Sequence, residues 1–219
     1  MRLFLDSANL SEIEHALELG MVDGLTTNPT LLAREGGDWE GRAREICRMV
    51  KGPVSLEVTS LKCGEMLEEA RRLVTFGPNV VIKVPMTQDG LKAVPILQSR
   101  DIDTNVTLVF SPMQALLAAR AGAAYVSPFV GRLDALAQNG MELVREIMTI
   151  FQNYNYPTQV IVASVRHPRH VSEAALLGAH AATIPYKIMM QLARHPLTDA
   201  GLETFLNDWA KLPPITRQA

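Results

Sequence analysis

Eight short runs of apolar and β-branched residues alternate with segments of helical period along this chain. That alternation limits the available folds more than any single motif does. The strand-like runs are 2–6, 24–28, 54–59, 80–84, 105–109, 125–129, 159–164 and 182–184. Helical segments are expected at 9–19, 39–50, 64–73, 89–98, 112–121, 135–151, 170–177 and 186–193, the first with Ser11 and Glu14 in capping-box spacing. Over 219 residues this is roughly 27 per unit, the repeat of a (β/α)8 barrel. A doubly wound open sheet is the competing architecture, but eight units and the lack of a GxGxxG turn after the first strand favour closure. The spacing leaves no linker. The expected fold is therefore α/β, a single (β/α)8 TIM barrel over 1–219 with an extra C-terminal helix within 198–212. That helix carries Leu202, Phe205, Leu206 and Trp209 on one stripe, and Pro213-Pro214 closes it. Spacing alone leaves open whether the stripe packs on its own barrel or on a neighbouring subunit.

Composition serves mainly to exclude. A formal net charge of −2 makes no electrostatic case for nucleic acid or an anionic membrane. No apolar stretch is long enough to cross a bilayer, and Asp6 interrupts the first apolar run, unlike a signal peptide. Cys47 and Cys63 form neither a CxxC nor a disulfide framework, so a reduced, cytoplasmic protein is expected. His15, His167, His170, His180 and His195 show no ligand spacing with an acid or cysteine. His167 and His170 stand at i, i+3, but Pro168 and a loop context argue against a zinc pair. No metal is expected.

The polar residues at the strand ends carry the functional signal. Val80-Val81-Ile82-Lys83-Val84-Pro85 reads as a buried parallel strand with an ammonium inside it, which must be paired, neutralised or used. Side chains two apart on a strand share a face. On the same inward parity stand Asp6, Asn28, the set Ser55, Glu57 and Thr59, then Lys83, Asn105 with Thr107, Ser127 with Phe129, and Ser164 with Arg166. Each has a plain alternative: Asp6 and Asn28 as caps, Glu57 as the structural partner of Lys83, the arginines as surface charge. Together, seven strand ends out of eight converge on the end of a barrel where chemistry is done.

Two acids, one lysine and two asparagines without a metal cluster point to imine chemistry. A lysine among apolar walls loses proton affinity from about 10.4, and its free amine can attack a ketone. Carboxylates then move protons, and asparagines hold hydroxyls without adding charge. Arg132, Ser164 and Arg166, beyond the sixth and seventh strands, are placed to hold a phosphate.

At this point the chain resembles a known family over nearly its whole length. LDSAN at 5–9, GLTTNPTLL at 24–32, LEVTS at 56–60, VVIKVPMTQDGLKA at 80–93, TNVTLVFSPMQALLAARAGAAYVSPFVGRLD at 104–134 and VASVRHP at 162–168 are similar to the small transaldolases, a subfamily that includes fructose-6-phosphate aldolase. The resemblance implies that Lys83 forms the Schiff base and that Asp6 handles the C4-hydroxyl proton. It also implies that Glu57 acts through a water held by Thr107. By the same resemblance Asn28 and Asn105 bind dihydroxyacetone hydroxyls, Ser127 and Phe129 wall the pocket, and Arg132, Ser164 and Arg166 bind phosphate. Glu57 and Phe129 follow the transaldolase pattern, since the aldolase has glutamine and tyrosine at those positions. The resemblance further implies phosphorylated sugars as partners, no cofactor and a cytoplasmic pentose-phosphate role. It implies a homo-oligomer, a pentamer or a decamer of two pentamer rings, with the terminal helix on a neighbour.

Overall fold

The structure, a computed structural model, describes residues 1–212, so the expected stop at Pro213-Pro214 lies outside the described residues. Its elements run β1 (Arg2–Asp6), α1 (Leu10–Glu18), β2 (Gly24–Thr26), α2 (Pro29–Glu35), α3 (Trp39–Met49), β3 (Val54–Glu57), α4 (Cys63–Leu73), β4 (Val80–Pro85) and α5 (Gln88–Gln98). They continue with β5 (Thr104–Val109), α6 (Pro112–Ala121), β6 (Tyr125–Pro128), α7 (Val130–Asp134), α8 (Gly140–Asn153), β7 (Gln159–Val162), α9 (Pro168–Leu176), β8 (Ala181–Pro185), α10 (Tyr186–Met189) and α11 (Pro196–Trp209). The strands close in sequence order into an eight-stranded barrel, every pair parallel. This is the expected (β/α)8 architecture.

The strands are short and apolar because both faces are covered. Val54, Leu56, Ile82, Val84, Val106, Val126, Val160, Val162, Ala182 and Ile184 point outward into the main core beneath the helices. The inward residues form a separate small cluster of Phe4, Val81, Tyr125, Ile161 and Ala181. Gly24 makes room for it, since a Cβ there would sit 2.7 Å from the Phe4 ring. The Arg2 guanidinium lies over Phe4 and Tyr125 at 5.4 and 5.8 Å from the amino-terminal end. Two residues further along the strands, the inward positions change from apolar to polar. Phe4 is followed by Asp6, Val81 by Lys83, Tyr125 by Ser127 and Ala181 by Thr183. The site therefore rests on an apolar layer inside the barrel.

Several boundaries differ from expectation. The first helix is capped by Asn9, which accepts the Glu12 N–H, and Ser11 lies within it rather than at a capping box. The second strand ends at Thr26, short of 28, and Pro29 belongs to a helix not expected from the sequence. This proline is the first residue of α2, with Asn28 as N-cap, the position where a proline costs a helix nothing. The helix expected over 135–151 starts only at Gly140, as α8, and a separate short helix, α7, lies before it at Val130–Asp134. Asn139 caps α8 and Asp134 accepts the Gly140 N–H, so the chain turns between them. Pro168 likewise opens α9, which brings His167 to its N-cap. α11 exists over slightly earlier bounds than expected, and none of its residues is buried.

Candidate active site

Parallel register places Glu57 beside Lys83 and Lys83 beside Asn105. Three polar side chains on adjacent strands thus stand at one level. The Lys83 side chain is 6% exposed, with Nζ 2.9 Å from Glu57 Oε2 and donating to the Thr27 carbonyl at 3.0 Å. The immediate surroundings of the amine are a carboxylate and a carbonyl, not the apolar walls expected from the strand sequence. The pairing of Glu57 with Lys83 is therefore real. A cavity of about 500 Å³ opens above the pair and is walled by Asp6, Asn28, Glu57, Lys83, Ser127, Phe129, Arg132, Ser164 and Arg166, among others. That volume is in the range of small-molecule sites.

Asp6 faces this cavity from β1. Its carboxyl accepts from Thr26 Oγ1 at 2.9 Å, and Thr26 is itself 2.6 Å from Thr183 Oγ1. Burial raises its pKa above the ordinary 3.8. Lys83, the Thr26 hydrogen bond and Arg166 oppose that rise, and Glu57 adds to it. Asn28 does two things at once, since its side chain accepts the Leu31 N–H at 2.9 Å as the α2 cap while the residue walls the cavity. Its amide NH2 remains available.

Asn105 and Thr107 are fully buried and are not among the residues that wall the cavity. Asn105 donates to Ser55 Oγ at 3.1 Å and accepts from Ser127 Oγ at 2.8 Å, two of the four bonds its amide can make. Thr107 Oγ1 has no protein partner among the described residues, and neither has Ser164 Oγ. A buried hydroxyl left so carries a desolvation penalty, which calls for a functional account. Thr59, expected on the Glu57 face, falls beyond β3, where its hydroxyl donates to Glu69.

Phe129 packs edge-on against Phe110 with ring centroids 5.9 Å apart, and the Arg132 guanidinium lies 5.0 Å from its ring. Arg132 projects from α7 and Arg166 from the turn after β7, both exposed at the mouth.

Sequence reasoning missed several residues of this wall, of which Thr26, Thr183, Arg34 and Leu108 are the most telling. Thr26 and Thr183 share the inward parity of Asp6 and were legible by that rule. Arg34 is carried to the cavity by α2, which was not anticipated as a helix. Leu108 lines the cavity at φ +60°, where the β5–β6 register shifts between Val106 and Val109, and Ser164 also adopts φ +60°. Left-handed backbone at two non-glycine cavity residues is strain of the kind that concentrates at working sites. No sequence signal marks it.

The structure also brings Asp134 beside the His167 and His170 pair. Donor atoms of Asp134, His167 and His170 all lie within 4.8 Å of one another, a spacing compatible with a metal ion. The hydrogen bonds fit a metal poorly. His170 Nδ1 accepts the Arg166 N–H at 3.3 Å, so the ring's proton belongs on Nε2, 2.7 Å from Asp134 Oδ2. A metal on Nε2 would have to displace that proton onto the nitrogen that is accepting.

The fold and site together define a (β/α)8 barrel with a lysine-centred polar cavity at the carboxyl ends of its strands. The comparisons are specific beyond that. A family model described as Transaldolase/Fructose-6-phosphate aldolase matches residues 3–214, and the chain belongs to this family. It is 62% identical to a probable transaldolase of Maridesulfovibrio salexigens, over 97% of this chain and 99% of that one. A probable transaldolase of Aquifex aeolicus is 59% identical, over 97% and 98% of the two chains. One of Thermodesulfovibrio yellowstonii is also 59% identical, over 97% and 99%.

Proposed function

We propose that this protein is a transaldolase working through a Schiff base on Lys83. It would move a dihydroxyacetone unit between sedoheptulose 7-phosphate or fructose 6-phosphate and an aldose phosphate, erythrose 4-phosphate or glyceraldehyde 3-phosphate. The observation that carries the reading is the buried Lys83 amine, 2.9 Å from one carboxylate and sharing a cavity with a second.

Glu57 takes a proton from the ammonium, and the freed amine adds to the C2 ketone of the donor. Loss of water leaves a protonated imine. The C3–C4 bond then breaks, its electrons moving toward the imine nitrogen while Asp6 accepts the C4-hydroxyl proton. The aldose departs and an enamine remains on Lys83. An acceptor aldehyde forms a new C3–C4 bond by the reverse of these steps, and water releases the ketose. The unpartnered Thr107 hydroxyl suits a role in holding that water. The amide groups of Asn28 and Asn105 are assigned to the donor's hydroxyls. Arg132, Ser164 and Arg166 are assigned to the phosphate, since two guanidinium groups and a hydroxyl match its oxygens. The enamine is expected to persist because Phe129, unlike a tyrosine, has no hydroxyl to protonate it.

We further propose that the chain is one domain acting in the cytoplasm in the pentose phosphate route. α11 would rest on a neighbouring subunit of a pentamer or decamer. No helix among the described residues is long and apolar enough to cross a membrane.

Borohydride reduction in the presence of fructose 6-phosphate, followed by peptide mass mapping, tests the central step. A three-carbon adduct on the peptide containing Lys83 is expected, and an unlabelled Lys83 would overturn the mechanism. With erythrose 4-phosphate supplied, the product should be sedoheptulose 7-phosphate. Release of free dihydroxyacetone instead would make the protein the aldolase of this family.

A further inference from the structure

Arg132 and Arg166 reach the cavity mouth from different elements, and both are exposed. Exposed arginines grip an anion well only when their backbones are fixed relative to each other. One buried side chain, which no step of the proposed reaction uses, joins the two segments. His170, 3% exposed in the first turn of α9, accepts the Arg166 backbone N–H on Nδ1 at 3.3 Å. Its Nε2 lies 2.7 Å from Asp134 Oδ2, and Asp134 ends the short helix that carries Arg132. The other Asp134 oxygen accepts the Gly140 N–H at 2.9 Å, which ties the same junction to α8.

Both bonds of the ring require neutral imidazole with its proton on Nε2. Burial lowers the pKa of His170, and His167 adds to this, against Asp134 and Glu173. The two segments are also close at the backbone. Gly131 donates to the Ser164 carbonyl at 3.1 Å, and a Cβ at Gly131 would sit 2.5 Å from Arg166 Cγ. The spacing of Arg132 and Arg166 is thus set at a junction with His170 at its centre.

We propose that His170 is a positioning residue for the anion site, fixing Arg132 and Arg166 in the arrangement that binds a phosphate monoester without itself touching it. The inference rests on the assignment of Arg132, Ser164 and Arg166 to phosphate. His170 would then govern affinity for the phosphate and leave the covalent chemistry at Lys83 alone.

Wild-type protein, His170→Ala and His170→Asn are titrated with inorganic phosphate by calorimetry. Each is also labelled with borohydride and unphosphorylated dihydroxyacetone. His170→Ala is expected to weaken phosphate binding roughly ten- to a hundredfold, the scale of loss when a binding clamp shifts by about 1 Å. Labelling of Lys83 should stay at the wild-type level. His170→Asn, whose amide oxygen falls near the place of Nδ1, should recover part of the affinity. It carries the comparison by the same two readouts if the alanine variant does not fold. Unchanged phosphate affinity overturns the inference, as does an equal loss of affinity and labelling. A wild-type protein that does not bind phosphate removes the site and the inference with it. Absence of labelling in the wild type instead overturns the proposed reaction, and the phosphate titration still decides the role of His170.

Discussion

Lys83 and Glu57 depend on each other at the bottom of the cavity, so deleting one partner differs from replacing both. Lys83→Met removes the amine and leaves Glu57 facing the cavity without its cation. Breaking a buried pair in this way costs about 3–5 kcal/mol, whereas an uncharged replacement of both partners is close to neutral. Lys83→Met should therefore abolish borohydride labelling and lower the denaturant midpoint. Adding Glu57→Gln should return most of the stability and none of the labelling. Asp6 has the opposite character. Because burial raises its folded-state pKa, its contribution to stability is complete below the unfolded value near 3.8 and is lost as pH rises through the folded value. Asp6→Asn should then be more stable than wild type at neutral pH, with the difference shrinking on acidification. The same substitution should stop bond cleavage while dihydroxyacetone still labels Lys83. In the wild type, kcat should fall on acidification at a pH above the ordinary carboxylate range, as Asp6 becomes protonated and can no longer accept the C4-hydroxyl proton. A limb unchanged in Asp6→Asn would assign it to another group.

Among the elements, α2 links folding to the site most directly. Asn28 caps it and Arg34 rides on it to the cavity mouth. Asn28→Ala should cost about 1 kcal/mol through the lost cap. Asn28→Asp keeps a capping oxygen, so a thermal melt should find it near wild-type stability. With no amide donor left for the substrate, its KM should still rise. Equal behaviour of the two variants would mean that Asn28 serves only the helix. The same element shows where sequence reading runs out. Period-2 parity was enough to bring Asp6, Glu57, Lys83 and Ser127 to one end of a closed barrel, because parallel strands leave their inward side chains little choice. It was not enough for α2, since strand parity says nothing of helices and Asn28-Pro29 is a cap followed by a first turn. Nor did it foresee that α8 starts only at Gly140, where Asn139-Gly140 is a cap followed by a first turn. The left-handed backbone of Leu108 and Ser164 lay beyond reach for a different reason, since it is imposed by tertiary packing and not by local preference. The Asp134–His170 contact joins residues far apart in sequence and has no periodicity to betray it.

At the scale of the molecule, α11 stands out as a helix with an apolar stripe and nothing buried. Phe205, Leu206 and Trp209 are 71%, 69% and 64% exposed. In the proposed assembly this face would rest on a partner surface. Phe205→Glu with Trp209→Glu should shift the mass measured by light scattering toward smaller species and leave the far-ultraviolet circular dichroism unchanged. A mass equal to wild type would place the stripe in some other contact. The last consequence comes from the layer of Phe4, Val81, Tyr125, Ile161 and Ala181 under the polar residues. Among the described residues this plug closes the cavity on its amino-terminal side and leaves the mouth as its doorway. In the proposed transfer, the departing fragment and the incoming one must use the same threshold in turn. Initial-rate plots at varied donor and acceptor should therefore be parallel lines, the signature of a shuttle that unloads before it reloads.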